Sequence, residues 1–413
     1  MSNTFSFGVL RRFPDLEADN LVAVDATDRL VLAEAAAAIE ATPAGPAGRV
    51  VVVGDRYGAM TLGAIALHGA RNVRVHQDTL TGEQALAHNA LRAGLGPTRA
   101  ELGVTRAELG VTGAGLDEFR QLPLSRELFT GATVVIGQLP KSLDELREMA
   151  QLAAAHAEAD VTMFLGGRVK HMTHAMNDVL NDSFADVLAS LARQKSRVLV
   201  VTRPRPSAEI DPTTYPLRAH HRDLDLWVCA HGAAFAGTKV DIGTRFLLEF
   251  LDRMHPTAGT AVDLGCGTGV IAIALARAHP QLSVLATDES AAAVSSALAT
   301  VAANGLSGRV QVLRDDAMST LADESADLIV CNPPFHLGTS VHAGACVKLF
   351  RAAGRVLKPE GQLWTVFNSH LPYRSELTRA VGPTRVIGRN AKFTVTMSTR
   401  SPRDRPRQDW SAR

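Results

Sequence analysis

The chain has 413 residues, 46% of them hydrophobic and 21% charged, and a formal net charge of +1. That length supplies a large core and two or three domains, while the near-neutral balance excludes a polybasic, histone-like binder without excluding a local basic face. Cys229, Cys266, Cys331 and Cys346 form no CxxC pair, so neither a disulfide framework nor a zinc knuckle is indicated and a reducing compartment fits.

From the N-terminus, MSNTFSFGVLRRFPDLEADN has no continuous apolar segment before a small-residue cleavage site. The alanine-rich LVLAEAAAAIEA is interrupted by Glu34 and Glu40, so no run reaches a membrane span, and a soluble, cytoplasmic protein without a membrane partner is expected. RVVVVGDRYG (49–58) reads as a strand running into a glycine turn, and VRVHQD as a strand closed by Asp78. PTRAELGVTRAELGVTGAG holds TRAELGV twice in succession, a local duplication in a surface segment with no function assigned to it. ATVVIGQLPKS (132–142) is a further strand. His171 and His174 in KHMTHAMND stand three apart, as on one helix face, but no carboxylate–His or Cys set completes a site, so no metal is expected. RPRPSAEIDPTTYPLRAHHRD (203–223), rich in Pro, Arg and His and without periodicity, reads as a linker.

The second half alternates strand and helix: AVDLG, VIAIALARAHP, SVLATD, AAAVSSALATVAANG, RVQVLRDD, DLIVCN, HAGACVKLFRAAGRVLK, GQLWTVFN. Such alternation predicts an open, mostly parallel sheet with helices on both faces. TRVIGR and KFTVTMST, separated only by Asn390-Ala391, predict a terminal antiparallel hairpin. The first half echoes this unit: Gly54 aligns with Gly265 and Gly58 with Gly269 at an offset of 211, and Asp78 with Asp288 at 210. Three elements in one order argue for duplication, giving two tandem Rossmann-like α/β domains. The expected organisation is a degenerate domain over 1–203, a linker over 204–222, a catalytic domain over 223–400 and a basic tail over 401–413. In RSPRDRPRQDWSAR five Arg face two Asp, and a solvated, disordered tail is expected there.

The chemistry concentrates in the second half. Gly265, Gly267 and Gly269 in DLGCGTG allow a tight strand–helix turn with backbone N–H groups close to a ligand, and Asp288 closes the next strand where an acid can accept both hydroxyls of a ribose. A nucleoside cofactor follows, and GCGTGV departs from the GxGxxG spacing that suits a pyrophosphate. In DLIVCNPPFHLG an apolar strand stops at Asn332 and two prolines, a stiff end.

DLGCGTG, Asp288, RDDA and NPPF occur in the order found in class I S-adenosylmethionine-dependent methyltransferases. Within them, KVDIGTRFLLEFL, DESAAAVSSA, CNPPFH and VFNSHLPY resemble the bacterial ribosomal RNA guanine-N2 methyltransferases, which consist of two tandem lobes, the first lacking the cofactor site. The resemblance is strong over 240–400; the first 200 residues match mainly in arrangement. It implies that Asp263, Gly265, Gly267 and Gly269 lie against the methionine part of S-adenosylmethionine, Asp288 against its ribose, and Asp316 and Ala317 against its adenine. Asn332, which would also face the cofactor, forms the acceptor site with Pro333, Pro334 and Phe335, and Lys239, Asp241, Gly243 and Thr244 line the cofactor pocket. In the first half, Asp55, Arg56 and Tyr57 replace the Cys-Gly-Thr of the loop and Gln138-Leu139-Pro140 replaces Asn-Pro-Pro, so that domain is expected to be non-catalytic and to help position RNA.

Physical reasoning supports the acceptor assignment. A purine's exocyclic amine is a poor nucleophile because its lone pair is delocalised. The Asn332 side-chain oxygen and the Pro333 carbonyl can each accept one N–H, orient the lone pair and stabilise charge as it develops on nitrogen. Phe335 offers a flat face to an unstacked base, worth about 1–3 kcal/mol. The expected partner is ribosomal RNA or a ribosomal subunit, and a monomer is expected. Two rivals remain at this stage. NPPF also occurs in methyltransferases of adenine N6 and of protein glutamine amides, and a non-catalytic RNA-binding or ribosome-assembly factor would keep the fold without using it. Cys331, on a buried strand, is expected to be inert rather than a nucleophile for cytosine. His336 is open to a proton-accepting or a packing role.

Overall fold

The computed structural model describes residues 5–18, 21–43, 48–95, 118–210, 213–255, 257–334 and 340–401. The TRAELGV duplication, Phe335, His336 and the tail beyond Ser401 lie outside the described residues. Two compact units divide the chain, Met1–Leu217 with His231–Ala233, and Arg218–Ala230 with Ala234–Arg413.

The first unit holds β1 (Val50–Val53), β2 (Val73–His76), β3 (Phe119–Gln121), β4 (Val134–Gln138), β5 (Thr162–Arg168), β6 (Phe184–Ala189) and β7 (Ser196–Pro204), in the order β3-β2-β1-β4-β5-β7-β6. β1 to β5 pair in parallel, and β7 and β6 close the sheet antiparallel. Its helices are α1 (Ala26–Glu40), α2 (Ala59–His68), α3 (Leu80–Arg92), α4 (Arg126–Phe129), α5 (Leu143–His156) and α6 (His174–Asn181). β1 shows why a run of four valines is needed: Val50 and Val52 enter one core and Val51 and Val53 the other. Alternate side chains leave opposite faces of a strand, so a sheet covered on both sides needs apolar residues throughout. Each fully buried valine contributes about 1.5–3 kcal/mol. His171 ends a 3-10 turn and His174 begins α6, so the two do not share a helix.

The second unit opens with a hairpin of β8 (Leu217–His221) and β9 (Leu226–Ala230). β10 (Thr260–Leu264), β11 (Ser283–Asp288), β12 (Val310–Arg314), β13 (Ala326–Cys331), β14 (Leu357–Asn368), β15 (Thr384–Arg389) and β16 (Phe393–Thr399) follow, in the order β12-β11-β10-β13-β14-β16-β15. The helices are α7 (Ile242–Leu248), α8 (Val270–Ala278), α9 (Ala291–Ala303), α10 (Ser340–Val356) and α11 (Tyr373–Ala380). Strand for strand this order repeats that of the first unit, the parallel part ending again in an antiparallel pair. The expected hairpin is present, its turn fixed by the Asn390 side-chain oxygen, which accepts from the Lys392 and Phe393 N–H groups. The architecture is therefore two tandem Rossmann-like sheets, as the repeated pattern predicts.

The linker reading of 203–223 gives way in part, because Leu217–His221 is strand β8. LRAHH carries little apolar signal because β8 pairs only with β9, in a sheet of two strands. The main chain of β9 is satisfied by helix side chains instead: Trp227 N–H donates to Asn304 and Cys229 N–H to Thr300. Among the described residues no helix is long and apolar enough to cross a membrane.

Candidate active site

In a doubly wound sheet, ligands bind outside the carboxyl ends of the strands, where the order reverses. In the second unit that point is β10, from which the chain proceeds through β11 and β12 on one side and reaches β13 on the other. Register places the sequence motifs in one row along this edge. Leu264 lies opposite Thr287 of β11 and Cys331 of β13, and Asp288 lies opposite Arg314 of β12. The residues that follow these strand ends, Gly265, Asn332 and Asp315-Asp316, therefore stand side by side with Asp288.

The glycine turn is held from below. The N–H groups of Gly265 and Cys266 both donate to the Thr287 carbonyl, at 2.8 and 3.0 Å. Gly265 and Gly267 have φ of 71° and 52°, and a Cβ on either would meet no atom within 4 Å, so the turn borders open space. Gly269 differs: a Cβ there would meet Ala297 at 3.2 Å, so this glycine lets α8 and α9 approach. Asp288 bridges the turn and the next helix, accepting from Gly267 N–H and Ser290 N–H at 3.0 Å each.

Asp263 is fully buried on β10. Its Oδ2 accepts from the Ala272 N–H of α8 at 2.9 Å, while Oδ1 has no partner among the described residues. Burial pushes its carboxyl up to about 7. A buried acceptor oxygen left over is costly unless something cationic or hydrogen-bonding meets it. Asp316 pairs with Lys348 of α10, and Ala317 follows in a left-handed turn at φ 52°. The neighbouring Asp315 is spent on that turn, its carboxylate accepting from Ser319 and Thr320.

Asn332 is half-buried and Pro333 buried. The Asn332 Nδ2 donates to Asp241 Oδ2 at 3.1 Å and to Thr244 Oγ1 at 2.9 Å, leaving Oδ1 buried and without a partner among the described residues. Asp241 is the N-cap of α7, its Oδ2 also accepting from the N–H groups of Gly243 and Thr244. Sequence reasoning had placed these residues near the cofactor but missed their bond to Asn332. They lie 91 and 88 positions away, and the one local signal is an acid in N-cap position before FLLEFL. The carbonyl of Pro334 accepts from the Cys346 thiol of α10, which ties down the turn. Cys331 is fully buried and its thiol is pushed well up by burial, the state of an inert core cysteine. Among the described residues no group of His, Cys, Asp or Glu could hold a metal ion.

The same turn in the first unit keeps the backbone and changes the side chains. Gly54, Arg56 and Gly58 have φ of 66°, 57° and 92°, close to the 71°, 52° and 80° of Gly265, Gly267 and Gly269. Tyr57 donates to Asp15 at 2.6 Å, with the Arg12 guanidinium 4.6 Å above its ring. Asp55, buried in place of Cys266, spends both carboxylate oxygens on the Met60 and Thr61 N–H groups of α2. A cavity of about 350 Å³ nevertheless opens at this unit's strand ends, lined by Arg56, Lys141, Arg168 and His171 among others.

S-adenosylmethionine fits what the second unit provides: open space over Gly265 and Gly267, and the spare oxygen of Asp263 for a cationic ligand. The Methyltransferase small domain family matches residues 225–397, and the RLMG N-terminal domain family matches residues 1–205. Fold, strand-end row and family together make the protein a class I methyltransferase that uses S-adenosylmethionine. It is 32% identical over 400 residues to the ribosomal RNA large subunit methyltransferase G of Streptomyces avermitilis, covering 96% of this chain and 97% of that protein. With that of Shewanella amazonensis it shares 31% over 397 residues, covering 95% and 96%. The chain belongs to the ribosomal RNA large subunit methyltransferase G family. A solved structure, the T. thermophilus 16S rRNA N2 G1207 methyltransferase (RsmC) in complex with AdoMet and guanosine, has the same fold, with a TM-score of 0.67 at 20% identity over 91% of this chain and 92% of that one.

Proposed function

We propose that the protein methylates the exocyclic N2 of a guanine in large-subunit ribosomal RNA. The observation that carries this reading is the buried Oδ1 of Asn332, without a partner among the described residues, at the end of β13 beside the glycine turn. Bound S-adenosylmethionine supplies an electrophilic methyl group on a positive sulfonium. Asp263 and Asp288 would hold it, with Asp316 and Ala317 toward its adenine. Asn332 accepts one N–H of the target amine through Oδ1, and the Pro333 carbonyl is proposed as the second acceptor. Those two bonds turn the nitrogen lone pair toward the methyl and stabilise positive charge on nitrogen as it forms; the amine then loses a proton to solvent. An amine on a base is out of reach inside a helix, so the guanine is read as flipped out. Phe335 remains the proposed stacking face.

The first unit is proposed to be a non-catalytic lobe that holds RNA. Asp55 has no oxygen to spare where the second unit does, and exposed Arg56, Lys141, Arg168 and His171 surround its strand-end cavity.

Asn332→Ala is expected to abolish methyl transfer from tritiated cofactor while leaving calorimetric cofactor affinity within about threefold. Equal loss of both would contradict the separation of cofactor and acceptor sites. Nucleoside mass spectrometry of large-subunit RNA from cells with and without the protein should show N2-methylguanosine disappearing. A loss of N6-methyladenosine, or no change in any nucleoside, would overturn the base assignment.

A further inference from the structure

We infer that Asp241 and Thr244 are positioning residues that set which end of the Asn332 carboxamide faces the substrate. The inference rests on the reading of Asn332 as the acceptor of the target N–H. A carboxamide has nearly the same shape with O and NH₂ exchanged, so packing alone does not choose between them, and only the hydrogen-bonding neighbours do. If the amide were reversed, Asn332 would present NH₂ to an amine that must itself donate.

Asp241 makes the choice because it has nothing to donate. Its Oδ2 is already the acceptor for the Gly243 and Thr244 N–H groups, which fixes the carboxylate in its N-cap position at the start of α7. An Asn332 oxygen placed 3.1 Å from that oxygen would meet like charge, whereas Nδ2 meets a charge-assisted bond. Thr244, the third residue of the same helix, adds an acceptor at 2.9 Å. A hydroxyl can also donate, so Thr244 strengthens the orientation without deciding it. Both of the amide's donors are thereby used on the helix side, and Oδ1 is left over.

The first unit contains the same juxtaposition. Gln138, at the end of β4, donates through Nε2 to Asp28 Oδ1 at 2.5 Å. Asp28 is the third residue of α1, as Thr244 is of α7, and Asp25 is that helix's N-cap. Docking the strand-end carboxamide on the first turn of the preceding helix is therefore built into both copies, and in the second it aims the oxygen at the chemistry.

The test uses the full chain with S-adenosylmethionine and an unmodified large-subunit RNA transcript. The Asp241 oxygen that meets Asn332 is the same one that caps α7, so Asn in its place keeps that acceptor, whereas Ala removes it and leaves only Thr244, which can donate as well as accept. Asp241→Ala is expected to lower kcat at least tenfold, with KM for RNA and calorimetric cofactor affinity within about threefold, and Asp241→Asn to keep kcat within about threefold of wild type. Thr244→Val should cost kcat roughly tenfold, and Thr244→Ser should restore it, which keeps the inference testable should Asp241→Ala fail to fold. Wild-type kcat in Asp241→Ala and Thr244→Val, or a loss confined to cofactor affinity or stability, would overturn it. Asn332→Ala measured alongside separates the two readings. If it is inactive while Asp241→Ala turns over normally, the orientation inference alone falls; if it is fully active, the acceptor assignment itself falls.

Discussion

Asp55 and Asp263 perform one structural task from two places. Thr61 and Ala272 are equivalent residues of α2 and α8, and each has its N–H accepted by a buried carboxylate, from the turn in the first unit and from the strand in the second. Asp55 takes two helix N–H groups and Asp263 takes one, so of these two carboxylates Asp263 alone keeps an oxygen without a partner among the described residues. Both carboxyls are pushed up to about 7, chiefly by burial. For an acid raised above its unfolded value near 3.8, the folded state binds more protons between about pH 4 and 7, so the favourable contribution is full below that window and lost as pH rises through it. Urea midpoints of the wild type should therefore fall relative to Asp55→Asn between pH 5 and pH 8; a constant gap between the two proteins would show that Asp55 ionises normally.

At the level of elements, Arg56 gives a natural control for Gly267. It holds φ of 57° with a full side chain, so the turn tolerates an L residue at the cost of about 1–2 kcal/mol. Gly267→Arg should accordingly fold, with its cofactor affinity reduced at least tenfold, because the new side chain enters the open space over the turn. Retained affinity in calorimetry would mean that this space is not where the cofactor lies. Such turns were legible because continuous apolar strands run into them: VVVV and DLIVC serve two cores at once and leave little alternative to a covered parallel sheet. Strand β8 was not legible, because LRAHH carries no apolar periodicity and pairs only with β9. Nor was the bond from Asn332 to Asp241, since nothing local couples an N-cap acid to a strand end 91 residues later. The motif residues were readable one by one, and their hydrogen-bond partners were not.

For the molecule as a whole, a net charge of +1 places the burden of RNA attraction on local surfaces. Replacing Arg56, Lys141 and Arg168 together by Gln should raise KM for RNA with kcat little changed, and should flatten the log–log salt dependence of RNA binding by roughly two, at about 0.7 per lost phosphate contact on single strands. An unchanged salt slope would remove the first unit's cavity face from the RNA path.

Two sheets with one strand order in a single polypeptide also pose a problem during folding. Each open edge is a template that the other copy's strands match in direction and spacing, and tandem relatives misassemble by exchanging such pieces. Synthesis from the N-terminus lets the first sheet complete itself before its rival emerges. The different side chains at matching core positions, four valines in β1 against Ala261, Val262, Asp263 and Leu264 in β10, work against such an exchange.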